Sequence, residues 1–314
     1  MNKIDLITEQ KTFLADLDAA GKSFNTIKNY KTDLNCFNKY LALNGRDLFI
    51  NEMTHAEVAD YNKFLEQTYN SPNSIRRRIQ ALRIFFDTLL AKGLVQQNPL
   101  KQATVAPKRV DKPNPTNFKV LIKLYELVSA NIKSEKPLER LTAYRNLVLI
   151  ELIYSGGLKV SDLEALEQKH VFRQQDGSFR VMITPPKRDP YTVELSQNFE
   201  KFHAPYIGYL EEQKQKDDIE FSKFFFNANP YKILAGGLSP RGIEVLFKEF
   251  GNKLGEKITA KSLRQSCIFH WINQNKPDSS IKEWIGVQPQ YSLKPFHDLI
   301  KAAPEEYTFT EAPL

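Results

Sequence analysis

Lys159 stands directly after a glycine turn in the stretch LIELIYSGGLKVSDLEALEQKHV, residues 149–171. There an apolar helix stops at Gly156–Gly157 and a second helix opens on Ser161 and Asp162. A lysine so placed can attract a phosphate oxygen as a point charge, though without the planar fork of arginine. A turn farther along holds Lys187, Arg188 and Asp189, and two amino-terminal helical stretches carry Lys28, Lys31 and Lys39, then Arg76, Arg77, Arg78 and Arg83. The formal charge is +7 and the pI about 9.1. Such an excess permits a polyanionic partner without requiring one, so distribution matters more than the total. No cysteine–histidine cluster has metal-ligand spacing and no glycine-rich phosphate loop occurs, so no metal and no cofactor is expected.

These groups need elements to hold them. The chain has 314 residues, enough for two ordinary domains. With 41% hydrophobic and 26% charged residues it reads as a soluble globular protein. No segment approaches the roughly 20 apolar residues of a membrane span. The start, MNKIDLITEQ, has no signal-peptide pattern, and Cys36 and Cys267 lie far apart, which favours reduced thiols and a cytoplasmic setting. In SFNTIKNYKTDLNCFNKYL, Ser23 and Asn25 are capping candidates, and Ile27, Tyr30, Leu34, Phe37 and Leu41 form one stripe with the lysines off it. In SPNSIRRRIQALRIFFDTLLAKGL, Ser74 can cap and Gly93 marks the end. Ile75, Ile79, Leu82, Phe86 and Leu90 form its expected buried face, with the four arginines turned outward.

PKRVDKPNPTN, residues 107–117, breaks every period and reads as a linker. Beyond it LERLTAYRNLVLIELIYSGGL is apolar on most sides, as a core helix would be. FRVMITPPKRDPYTVEL predicts two strands, Phe179–Thr184 and Tyr191–Leu195, around the Lys187 turn. Helices resume to about Ile300, and an acidic, proline-containing tail follows from Pro304. The expected boundaries are a helical domain at 1–108, a linker at 109–116, a mostly helical second domain at 117–303, and a tail at 304–314.

The order of motifs resembles the tyrosine recombinases, the phage-integrase and Xer-type strand-exchange enzymes, over nearly the whole chain. The two amino-terminal stretches, with the Asn98–Pro99 exit, look like the family's SAM-like core-binding helices. YSGGLKVSDLEAL resembles T-G-L-R-x-S-E-L, and PPKRDPYTVEL falls where the family keeps a lysine hairpin. ITAKSLRQSCIFHWINQN, after LSPRGIEVLFKEFGNKLG, looks like the helix carrying H-x-L-R-H. IKEWIGVQPQYSLKPFHDL resembles L-G-H followed nine residues later by tyrosine. The resemblance implies a mainly α fold with a small β-hairpin, in two domains, core-binding and catalytic-fold. It also implies chemistry in which a tyrosine oxygen attacks a DNA phosphodiester while two arginines hold the phosphate oxygens and lysine and histidines manage protons.

Position by position, this chain departs from that pattern. Lys159 replaces the first arginine, Asp162 keeps the acid, and Lys187 retains the hairpin lysine. Lys261 stands at the first position of H-x-L-R-H, Arg264 is kept, and Gln265 replaces the last histidine. Val287 occupies the L-G-H histidine position and Phe296 the tyrosine position. A phenyl ring has no oxygen to attack with. The resemblance therefore implies a degenerate site with no catalytic residues, a double-stranded DNA binder rather than an enzyme, with a regulatory role such as repression of a phage's or mobile element's genes. DNA contact is expected from Lys28, Lys31, Arg76, Arg77, Arg78, Arg83, Lys159, Lys187, Arg188, Arg241, Lys261 and Arg264, with the two domains clamping the duplex. Base-edge readers are sought among Asn25, Asn29, Asn73 and Gln80. Two rivals stay open: an active recombinase with a rearranged site, in which Tyr291 is the nucleophile and His270 or His297 replaces a lost histidine, and a non-catalytic companion of an active recombinase. A helical register would set Tyr291 about 7.5 Å along and some 140° around from position 296. Homo-oligomers and a peptide or protein effector remain open as partners, and a membrane is not one.

Overall fold

Short polar side chains start the helices of the first unit. Asp5 accepts from the Thr8 N–H at 2.8 Å, Ser23 from that of Thr26 at 3.3 Å and Ser71 from that of Ser74 at 3.4 Å, each satisfying a donor that the first helical turn leaves orphaned. The coordinates are a computed structural model describing residues 4–46, 49, 55–101, 112–186, 188–228 and 234–311. The chain divides into two compact units, Met1–Asp111 and Lys112–Leu314.

Helices α1 (Leu6–Ala19), α2 (Phe24–Leu43), α3 (His55–Thr68) and α4 (Pro72–Ala91) make up the described part of the first unit. Ser74, expected to cap α4, lies inside it; Ser71 is the cap because Pro72 suits the first helical position. Gly93, at φ +69°, ends α4. Its N–H reaches the Leu90 carbonyl, and Leu94 reaches back to Leu89, the double bond of a Schellman closure. The buried face is Ile79, Leu82, Phe85, Phe86 and Leu89, whereas Leu90 is exposed. These pack on Phe13, Leu34, Phe37 and Tyr61 in one core, each large side chain contributing about 1.5–3 kcal/mol by leaving water.

The second unit contains α5 (Phe118–Ser129), α6 (Pro137–Tyr154), α7 (Val160–Ala165), β1 (Val171–Arg173), β2 (Phe179–Ile183), β3 (Tyr191–Glu194), α8 (Phe199–Asp217), β4 (Phe226–Ala228), β5 (Leu234–Gly236), α9 (Pro240–Leu254), α10 (Ala260–Asn273), α11 (Asp278–Trp284) and α12 (Lys294–Ala302). The fold is thus mainly α with small antiparallel sheets, β1-β2-β3 and β4-β5. Across β2 and β3, Val181 pairs with Val193 and Ile183 with Tyr191, all four facing inward as a period of two requires. Helix α6 is buried along nearly its whole length from Leu141 onward and packs on α5, α8 and α10.

Two segments read as peripheral are anchored. Of the expected linker, Thr116 is buried, its N–H donates to the Ser262 carbonyl and its carbonyl accepts from the Ser266 hydroxyl at 2.7 Å. Residues 102–111 lie outside the description. In the tail, Phe309 is 1% exposed, its ring 5.6 Å from Phe269 and 5.9 Å from Phe118. Its N–H donates to Asn273 at 2.7 Å. Among the described residues, no helix is long and apolar enough to cross a membrane.

Candidate nucleic-acid interface

Arg264 projects from the second turn of α10, whose cap Thr259 accepts from the Ser262 N–H at 2.9 Å. Its Nε donates to the Gly157 carbonyl and its Nη2 to the Ile285 carbonyl. Gly157 belongs to the turn before Lys159, and Ile285 precedes Gly286, so one guanidinium ties together the two loops that frame the site. Lys159 caps the start of α7. The Asp162 carboxylate accepts the Lys159 N–H at 3.0 Å and lies 3.8 Å from its Nζ. A methyl group placed on Gly286 would sit 3.0 Å from the Tyr191 hydroxyl, 3.4 Å from Arg188 Nη1 and 3.8 Å from Lys159 Nζ. Lys159, Arg188 and Tyr191 therefore converge on one spot, and the absence of a side chain at Gly286 leaves it open.

Lys159 and Arg264 thus share the Asp162 carboxylate, while Arg188 and Glu283 stand on the Tyr191 side of the spot. Burial pushes the Arg264 guanidinium below its ordinary value, and the Asp162 carboxylate works against that. Burial raises the Tyr191 phenol, with Asp162 raising it further and Arg188 and Arg264 opposing. Surplus positive charge in a half-closed place favours an anion with several oxygens.

Arg188 is exposed, stacks on the Tyr191 ring at 4.3 Å and donates to the Glu283 carbonyl at 3.4 Å. Lys187 lies outside the described residues. Lys261 is exposed in the first turn of α10. Gln265 accepts the Asn114 N–H at 2.9 Å, and so fastens the segment before α5. Arg241 is exposed and pairs with Glu244 at 3.3 Å. Val287 is half-buried. Phe296 is 3% exposed, on α12 against Phe269 at 5.2 Å.

His270 does not face this site: it is buried, stacks on Tyr154 at 5.4 Å and has its Nδ1 3.3 Å from the Phe309 carbonyl. His297 Nε2 lies 2.9 Å from Asp278 Oδ1. Tyr291 departs from the helical-register argument, because it lies in the loop ahead of α12 and is 40% exposed.

In the first unit, Lys28 and Lys31 are exposed on α2. Arg76 is half-buried and Arg77 exposed on α4. Arg78, expected outward, is buried: it stacks over Tyr69 at 3.7 Å, donates to the Ser74 carbonyl at 2.9 Å and lies 3.9 Å from Asp33. The signal was present in the spacing, since Arg78 shares the stripe of Ile75, Ile79 and Leu82, and Asp33 that of Tyr30, Leu34 and Phe37. Arg83 is half-buried and grips the Leu100 carbonyl through Nε and Nη2, at 3.2 and 3.1 Å. It locks the Asn98–Pro99 exit rather than facing outward. Asn25 and Asn29 are exposed, while Asn73 and Gln80 are half-buried.

Residues 11–93 match the family model "Phage integrase, N-terminal SAM-like domain". The chain is 26% identical to tyrosine recombinase XerC of Roseiflexus castenholzii over 88% of its length and 84% of that protein's. It is also 26% identical to tyrosine recombinase XerD of Listeria monocytogenes over 90% of each. The chain thus resembles the tyrosine recombinases over most of its length. Its fold is that of solved integrases and recombinases. A lambda integrase dimer bound to a COC' core site superposes with TM-score 0.65 at 16% identity, over 97% of this chain and 79% of that one. XerH site-specific recombinase bound to its difH substrate does so with 0.64 at 18% identity, over 95% and 84%.

Proposed function

We propose that this chain grips duplex DNA in a sequence-specific manner without cutting it, and that it acts in the cytoplasm as a regulator, such as a repressor of genes on a phage or mobile element. Phe296 carries the reading. It stands at the family's tyrosine position, buried against Phe269, and a carbon ring cannot form a phosphoester. Val287, at the L-G-H position, has no proton to give. What remains, Lys159, Arg188 and Arg264, has the chemistry of a phosphate seat. Solved neighbours support both duplex DNA and further copies of the chain as partners: besides the core-site dimer there is a lambda integrase tetramer bound to a Holliday junction, with TM-score 0.63.

A second reading keeps cleavage and moves the nucleophile to Tyr291. It is favoured by the exposure of that phenol and its loop position. Footprinting on genomic DNA fragments tests both. The expected result is a discrete protected stretch with both strands intact inside it. A nick within the protected stretch that vanishes in Tyr291→Phe decides for the second reading.

A further inference from the structure

The geometry points to Arg77 as the side chain through which the first unit reads a guanine in the major groove, with Asp33 as its positioning residue. This rests on the proposed duplex binding and goes beyond it by naming the base and the edge. Helices α2 and α4 lie against each other and present two matched rows, Thr26, Asn29, Tyr30 and Asp33 on one, Arg77, Gln80, Ala81 and Ile84 on the other. Each row follows the i, i+3, i+4, i+7 spacing of a single helix face. Together they line a shallow groove of about 230 Å³.

Asp33 sits at the floor with its side chain 2% exposed, and Arg77 reaches it through Nη2 at 2.9 Å while remaining 47% exposed. Arg78, 9% exposed, approaches the same carboxylate from inside. Two guanidiniums thus share one carboxylate. Arg78 is committed to the interior by Tyr69 and the Ser74 carbonyl. Arg77 is the nearer partner of the buried negative charge and Arg78 stands behind it, so two guanidiniums against one carboxylate leave a surplus positive charge at the groove. A single Arg77 nitrogen is engaged, and among the described residues Nε and Nη1 meet no acceptor. The guanidinium is thus pinned by one corner, and the edge formed by Nη1 with the second Nη2 hydrogen is left for another pair of acceptors.

A fork held this way fits two acceptors side by side, which on duplex DNA are the O6 and N7 of guanine in the major groove. Asn29 and Gln80 flank it, and their amides suit adjacent adenines. A phosphate contact needs neither a fixed fork nor neighbouring amides, and Lys28 and Lys31 on the exposed side of α2 are suited to that task.

The experiment begins with selection of wild-type binding sites from a randomised duplex pool. The selected duplex is then remade with 7-deazaguanine at each guanine in turn, which removes N7 alone. We expect one guanine whose replacement weakens the wild-type protein, and at that position Arg77→Ala should equalise the four base pairs, a loss of about 5- to 150-fold for the preferred one. Arg77→Ala should be indifferent to the 7-deaza change there, and its salt slope should equal that of wild type. Arg77→Lys keeps the charge and should keep affinity for unselected duplex while losing the preference. Asp33→Asn, which frees Arg77, should raise affinity for any duplex while the contrast at that position falls; a fall in both overturns the positioning role. Uniform weakening by Arg77→Ala with the slope lowered by about one makes Arg77 a phosphate contact and overturns the inference. So does a selected preference that Arg77→Ala leaves intact. If the wild-type protein enriches no sequence, the duplex-binding proposal itself falls and takes this one with it.

Discussion

Arg264 spends two nitrogens on the carbonyls of Gly157 and Ile285, so removing it has a structural and an electrostatic consequence. Each charge-assisted hydrogen bond contributes about 1.5–3 kcal/mol, and Arg264→Ala should lower the thermal midpoint accordingly. If the group also faces phosphate, binding to every duplex should weaken about equally and the salt slope should drop by about one. Thermal melting with salt titration separates the two: a lower midpoint with an unchanged slope makes Arg264 purely structural. Legibility at this scale followed chemistry that a motif can carry. The structure sets Lys159 and Arg264 on the two sides of Asp162, and flanking motifs fix their register in the sequence. Arg78 was misplaced because a run of three arginines reads as surface, although one of them falls on the apolar stripe opposite Asp33.

Helix α6 carries a buried carboxyl, Glu151, which accepts from Tyr125 at 2.5 Å and from Ser196 at 2.9 Å. Burial raises it above its ordinary 4.5, outweighing the hydroxyls that pull it down. The folded chain therefore holds this proton better than the unfolded one. Its contribution to stability is full below the unfolded value and is lost as pH rises through the raised folded one. Glu151→Gln, which keeps the shape, should flatten the decline in melting temperature as pH rises above the ordinary carboxylate range; an unaltered decline would assign it to other groups. The tail behaves as part of the same unit. Phe309→Ala, which empties a place against Phe269 and Phe118, should destabilise the second unit by about 3–5 kcal/mol. A change well under that, by denaturant unfolding, would show a loosely held tail. Long periodic helices such as α2 and α4 were legible, as was the β2–β3 hairpin to within a residue at its ends. Strands of three residues, β1, β4 and β5, are too short to display a period. Docking of Phe309 is a long-range contact that local spacing does not encode.

For the molecule as a whole, a charge of +7 means that the proposed duplex binding should be dominated by phosphate neutralisation. A protein making about 6–10 such contacts loses roughly 10³–10⁵ in affinity between about 50 and 200 mM salt. A near-flat salt dependence would remove the electrostatic basis of the account. The likeness to the tyrosine recombinases was readable because the motifs keep their order along the chain; whether the site works is set by single atoms at single positions. The most direct measurement is the intact mass of the protein after incubation, at saturating occupancy, with its footprinted duplex nicked near the protected centre, so that a cleaved end diffuses away and cannot be rejoined. The mass should be that of the polypeptide alone. An added mass equal to an attached DNA strand would show that the chain still cuts, and would contradict the account.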